Sequence, residues 1–376
     1  MTPRDRLLTT LKGGTADRVP LVLPGFEFAA RAAINAHPDP RRRELAHRVF
    51  DEVAYRVQVP SFTNRYLMTP AQRIHAETVT LGNGFEEIRG TIDTPKGDLT
   101  FVTQLDPLSG TTWTLEYPVK TMADIERIAS IPWEMPEGLA PPAADRPEDF
   151  ASRGILETRI SSPFVCVAGM MTYERFLELT VTVPQLIEDL TEICRQRTEA
   201  VLDVLFAEPG IEYVWIGGSE WVTPPMASPR TYDWLVQGQE ASVIRHARER
   251  AAAVGQDLVV HVHCHGHVRH ALQRTIERDA DYTEPVEPPP DGDIPMADAK
   301  ALAAGRITLG GNIECRLLCN GTPADIDAAL DAAYAGGTYR FILRPTEGPS
   351  PMMTARETRN WERMVAGWEE RRGQDA

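Results

Sequence analysis

Cysteine is scarce, basic residues are outnumbered, and long apolar runs are missing; each shortage removes a class of protein. The five cysteines, at 166, 194, 264, 315 and 319, are odd in number and scattered, which does not make a disulfide framework. No apolar stretch approaches the roughly 20 residues that span a bilayer. Met1–Gly14 is charged and helix-like, unlike a signal peptide, so a reducing cytoplasm is the expected compartment. The chain carries 39 basic against 54 acidic residues, a net charge of −15. That balance argues against general affinity for nucleic acid or an anionic membrane. No internal repeat or low-complexity tract stands out.

What remains is an ordinary globular composition in a chain of 376 residues, long enough for one large α/β domain or two smaller ones. Val19–Leu23 reads as a buried strand and Arg43–Val57 as a helix. From Glu77 to Lys120, Thr, Val and aromatic residues alternate, broken by Gly82-Asn83-Gly84, Lys96-Gly97 and Ser109-Gly110. These are hairpin signals, and residues 77–120 are expected to form an antiparallel insertion. Pro132–Asp149 reads as a surface connection. Afterwards strand patterns (Thr158–Val167, Tyr213–Ile216, Leu258–His263, Tyr282–Glu284, Ile307–Leu309, Arg340–Leu343) alternate with helical ones, including Pro184–Phe206, Met296–Ala304 and Thr322–Tyr334. Repeated βα units imply a parallel sheet. Their regularity favours a single (β/α)8 TIM-type barrel domain over residues 1–376.

The chemistry concentrates in His261-Val262-His263-Cys264-His265. Alternate residues of a strand share a face, so the three imidazoles point one way and Cys264 the other. Crowded imidazoles repel when protonated, and a divalent cation relieves that by binding them neutral. Other strand ends are polar too: Glu220, Glu284 and Glu287, Asn312, then Arg344 and Glu347. A barrel keeps its chemistry at these ends. Taken singly, a strand-end glutamate is more often a helix cap than a catalyst; five polar ends in succession point to a site. Cys315 and Cys319 are four apart and share a helix face, a pair better explained by burial than by metal.

Several ordered segments resemble the uroporphyrinogen decarboxylase superfamily. These are Arg4-Asp5-Arg6-Leu7-Leu8 with Asp17-Arg18-Val19-Pro20, Ser162-Pro163-Phe164 with Ala168-Gly169, His263-Cys264-His265-Gly266, Gly311-Asn312-Ile313 and Phe341-Ile342-Leu343 with Gly348. The resemblance covers nearly the whole chain and implies a one-domain (β/α)8 barrel, often paired as a homodimer. The pattern is nearest the zinc- and corrinoid-linked methyltransferase branch. True decarboxylases carry a paired-arginine segment near the start where this chain has Leu23-Pro24-Gly25-Phe26-Glu27. The methyltransferases carry a His-x-Cys-Gly element and a later cysteine; here the matching positions are His263, His265 and Glu347. The resemblance therefore implies a His₂Glu ligand set for zinc or another divalent ion, a stronger Lewis acid than a thiolate-rich site.

Two activities stay open on these residues, besides a non-catalytic barrel. One is a metal-dependent methyltransferase on a small-molecule substrate, with Glu220 or Glu284 handling a proton, Asn312 orienting substrate, and His261, Glu287 and Arg344 contacting it. The chain has no Asp-x-His-x-x-Gly corrinoid signature, so a corrinoid has to arrive on a partner protein. The other is a decarboxylase or lyase on a small carboxylate, gripped by Arg18, Arg31, Arg340 or Arg344.

Overall fold

The computed structural model describes residues 1–59, 65–82, 84–106, 111–141, 146–147 and 149–372. Its main sheet is parallel, with seven strands paired in sequence order except for the insertion. They are β1 (Tyr55–Gln58), β6 (Gly154–Ser161), β7 (Tyr213–Gly217), β8 (Val259–His263), β9 (Tyr282–Glu284), β10 (Thr308–Ile313) and β11 (Phe341–Pro345). Between β1 and β6 the antiparallel strands β2 (Ile74–Thr80), β3 (Glu86–Ile92), β4 (Leu99–Leu105) and β5 (Thr112–Glu116) form a separate four-stranded sheet. The expected insertion is thus present, with bounds shifted a few residues toward the N-terminus. Of its turn signals, Asn83 and Ser109-Gly110 lie outside the described residues, as do 142–145 and 148 of the Pro132–Asp149 connection.

The expected first strand, Val19–Leu23, contributes one parallel bridge, Leu21 to Leu343. Val22 donates its N–H to the Leu343 carbonyl and Leu343 donates to the Pro20 carbonyl, each at 3.0 Å. This segment therefore continues the sheet beyond β11.

Alternation along the strands sorts side chains between two cores. Val214, Ile216, Val260, Val262, Leu309 and Leu343 face the helices in the larger core. Val22, Ala54, Ile155, Tyr213, Val259, Tyr282 and Ile342 meet in a second cluster with Leu7 and Leu11 from the helix Pro3–Leu11. Residues from both ends of the strand order share this cluster, so the sheet is curled around it. The N-terminal helix closes its lower end, at the start of the strands.

Two expectations fail locally. The stretch Thr158–Val167 is not one strand: β6 stops at Ser161, and Pro163–Ala168 is a helix with proline at its first turn, where a missing N–H costs nothing. Arg43–Val57 is not one helix: it runs Pro40–Val49, and the chain then enters β1. Downstream helices follow their capping signals. Thr322 accepts the Asp325 N–H at 3.3 Å while the Asp325 carboxylate accepts the Thr322 N–H at 2.8 Å, a reciprocal cap. No helix among the described residues is long and apolar enough to cross a membrane.

Candidate active site

Above the apolar inner cluster, most of the next inward residues are polar: Arg56, Glu157, His261, Glu284 and Arg344, with Trp215 on β7 and Gly310 on β10 the exceptions. In register across the sheet, Arg159 of β6 pairs with Trp215 of β7, and Trp215 with His261 of β8. One row higher, His263 pairs with Glu284 of β9. On the far side Asn312 pairs with Arg344. The geometry of a curled parallel sheet therefore gathers imidazoles, carboxylates and guanidinium groups at the carboxyl ends of the strands, where such folds carry their sites.

Glu284 is the hub. It is 2 % exposed, with Oε1 at 2.9 Å from His263 Nδ1 and 3.0 Å from His261 Nε2. Arg344, also buried, holds the other oxygen. Burial alone would raise this carboxyl, but the Arg344 guanidinium and the two imidazoles hold it well below the usual range. It is an anion with three claims on it.

His261 is fully buried, and burial drives its pKa down to about 3 against the pull of Glu284. It is a neutral imidazole. Its approach to Glu284 is off the line of a hydrogen bond, and both ring nitrogens are unpartnered among the described residues. Among those residues, His261, His263 and Glu284 are the one group of three metal-capable side chains with ligand atoms all within 4.8 Å.

His265 stands past the end of β8 with a carboxylate of its own. Its Nδ1 is 2.8 Å from Glu287 Oε1, and Glu287 Oε2 accepts the Gly266 N–H. Burial lowers the His265 pKa, but the hydrogen bond and charge of Glu287, with Glu284 and Glu347, outweigh it and raise the value. The His263 and His265 rings stand edge to face, 4.6 Å apart. Glu347 lies 66 % exposed on the loop after β11, its Oε1 3.5 Å from His265 Nε2. The trio His263, His265 and Glu347 is thus neighbouring, without the closeness of the His261 group.

Other expected residues have different settings. Glu220 sits on the short turn Ser219–Val222 and accepts the Gly218 N–H at 3.0 Å; its charge bears on the buried Cys264 thiol. Cys264 is buried behind the strand, where burial pushes its thiol up. Asn312 is buried. Arg18 and Arg340 line a cavity of about 250 Å³ at the opposite end of the sheet. Arg31 is paired with Asp51. Cys315 and Cys319 face each other with sulfurs 3.9 Å apart.

One acid escapes sequence reasoning. Glu314 follows β10 and precedes the helix Cys315–Asn320, so it reads as a helix cap. Its side chain is buried, with Oε1 unpartnered among the described residues. Burial, reinforced by the negative charges of Glu287 and Asp291, pushes its carboxyl up to about 7. The only signal was its place at a strand end.

The donor set fits a divalent cation. A neutral imidazole that gives Nδ1–H to a carboxylate keeps its lone pair on Nε2, the arrangement that orients metal-bound histidines. His263 and His265 both place Nδ1 within hydrogen-bond distance of a carboxylate. Glu284, Glu287 and Glu347 bring negative charges to one mouth with the buried Arg344 paired to the first of them, an excess that a cation relieves.

Residues 106–366 match the profile of the uroporphyrinogen decarboxylase (URO-D) family. A solved methyltransferase from Methanosarcina mazei superposes with a TM-score of 0.58 at 17% identity, covering 98% of this chain and 99% of that one. A putative vitamin-B12-independent methionine synthase from Listeria monocytogenes gives a TM-score of 0.36 at 14% identity, covering 58% of this chain and 64% of that one. No curated protein matches the chain.

Proposed function

The chain belongs to the uroporphyrinogen decarboxylase family, and on that footing we propose that it is a metal-dependent methyltransferase acting on a small molecule. The main sheet is read as a (β/α)8 barrel, with the Leu21 segment as its eighth strand. The observation that carries the function is the pairing of two carboxylates with two imidazoles: Glu284 with His263 and Glu287 with His265, both through Nδ1. That pairing turns both Nε2 atoms into metal donors. Glu347, beside His265, supplies the third. His261 and Glu284 are the competing set, but there the cation would have to approach Arg344, which already holds Glu284.

A divalent metal in this His₂Glu setting polarises an oxygen ligand as a Lewis acid. The chain's own groups do the rest. Glu284 and Glu287 fix the tautomer and tilt of the two imidazoles. Transfer of a methyl group off an ether oxygen to an external acceptor, a thiol or a corrinoid protein, leaves the bonding pair on that oxygen. Glu314, protonated near neutral pH, is the nearby acid suited to supply a proton to it. Asn312, buried on the adjoining strand, orients substrate.

Protein purified without chelator is expected to hold one divalent metal per chain by elemental analysis, and to lose methyl transfer when it is stripped. Absence of stoichiometric metal would overturn the reading. A carboxy-lyase that needs no metal is then the alternative.

A further inference from the structure

An enzyme of this kind needs something to hold the rest of its substrate, and the arginines suggested by the sequence do not stand where that is possible. Arg18 and Arg340 are at the wrong end of the sheet, Arg31 is on the surface with Asp51, and Arg344 is buried against Glu284. Arg159 is the arginine that the strands bring to the mouth. It lies on the inward face of β6, in register with Trp215, and its side chain is 44% exposed.

Its setting is built from below. Glu157, two residues earlier on the same face and fully buried, takes the Arg159 Nε. The same carboxylate also faces Arg56 Nη1 at 3.4 Å, so it is shared between two guanidinium groups. Binding through Nε holds the base of the Arg159 fork and leaves its two terminal nitrogens as the pair that can receive a carboxylate end-on. Trp215 adjoins both Arg159 and His263: the guanidinium carbon is 5.5 Å from its ring centre, and the His263 ring is 5.2 Å away. A cationic grip, an apolar indole and a metal-capable imidazole thus succeed one another across neighbouring strands.

We infer that Arg159 grips the carboxylate of an aromatic acid whose ring lies along Trp215 and whose far substituent reaches His263. This rests on the active-site reading above and adds the substrate class to it: an aryl ether bearing a carboxylate. Arg159 discriminates by charge. An acid fits, and its neutral amide does not.

The test is binding, with no turnover required. Calorimetric titration compares 4-methoxybenzoate with 4-methoxybenzamide, on wild type, Arg159→Met and Arg159→Lys, at fixed ionic strength. Wild type is expected to bind the acid at least tenfold more tightly than the amide. Arg159→Met should abolish that preference while retaining the amide, and Arg159→Lys should keep part of it. Equal affinity for the two probes in wild type, failure of both to bind, or an undiminished preference in Arg159→Met would each overturn the inference. Metal content, measured on the same samples, separates the two readings. Metal-free protein that still prefers the acid through Arg159 defeats the methyltransferase reading and leaves this one standing; metal-loaded protein without the preference does the reverse.

Discussion

Nδ1 of His263 lies 2.9 Å from Oε1 of Glu284 on the adjoining strand. Because Arg344 holds the other oxygen of that carboxylate, the imidazole faces an anion fixed in place. A carboxylate that orients a metal-binding histidine in this way is worth about 10–100-fold in metal affinity. Glu284→Gln is therefore expected to weaken metal binding by about that factor, measured by competition against a chromophoric chelator. Unchanged affinity would mean that His263 needs no such partner.

The neighbourhood of Glu347 and His265 sets a second expectation. Glu347→Ala should lower metal content at equilibrium more than Cys264→Ala, whose thiol is buried away from the imidazoles. The reverse ranking, read by elemental analysis, would transfer the ligand role to the thiol. If Glu347→Ala leaves the metal in place but Glu284→Ala removes it, the His261, His263 and Glu284 group is the true centre.

Glu314 makes stability depend on pH. Its carboxyl is raised from 4.5 to about 7 in the folded protein. Between those values the folded state holds a proton that the unfolded chain has released. This group's contribution therefore falls as pH rises from 4.5 through 7. Glu314→Gln should remove that decline and stabilise metal-free protein at pH 8 by roughly 1–3 kcal/mol. Melting temperatures of both proteins across pH 4.5–8 check it. Parallel profiles would show that the carboxyl titrates normally.

Gly310 tests the inner core. A Cβ added there would stand 2.2 Å from the Tyr282 hydroxyl, which is already buried and unpartnered among the described residues. Gly310→Ala should cost about 1–3 kcal/mol through overpacking, seen as a lower denaturation midpoint. An unaltered midpoint would mean that the two strands have room to part.

Much of the fold was legible because outward strand residues follow hydrophobic rules. Tyr213–Gly217, Val259–His263 and Tyr282–Glu284 lie almost where their patterns put them. β1 was not legible, because its inward Arg56 makes Tyr55–Gln58 look like the polar end of the preceding helix. The reading of Thr158–Val167 overran since apolar residues continue past Ser161 on a helix that faces the core. At the site, alternation alone gave the common face of His261 and His263. It could not show that Glu284 serves both, nor that Arg344 is committed to Glu284, because those contacts join different strands of the sheet. Arg159 and Glu314 were hidden for a simpler reason: one resembles a surface charge, the other a cap.

The helix that carries Leu7 and Leu11 has a kinetic corollary. With the lower end stoppered by apolar side chains, reagents are expected to reach the site from the mouth that holds the imidazoles. On the proposed methyltransferase reading, donor and acceptor approach from the same side, and direct transfer between them requires both to be bound at once. Steady-state rates should follow a sequential, ternary-complex pattern, and a ping-pong pattern would overturn direct transfer.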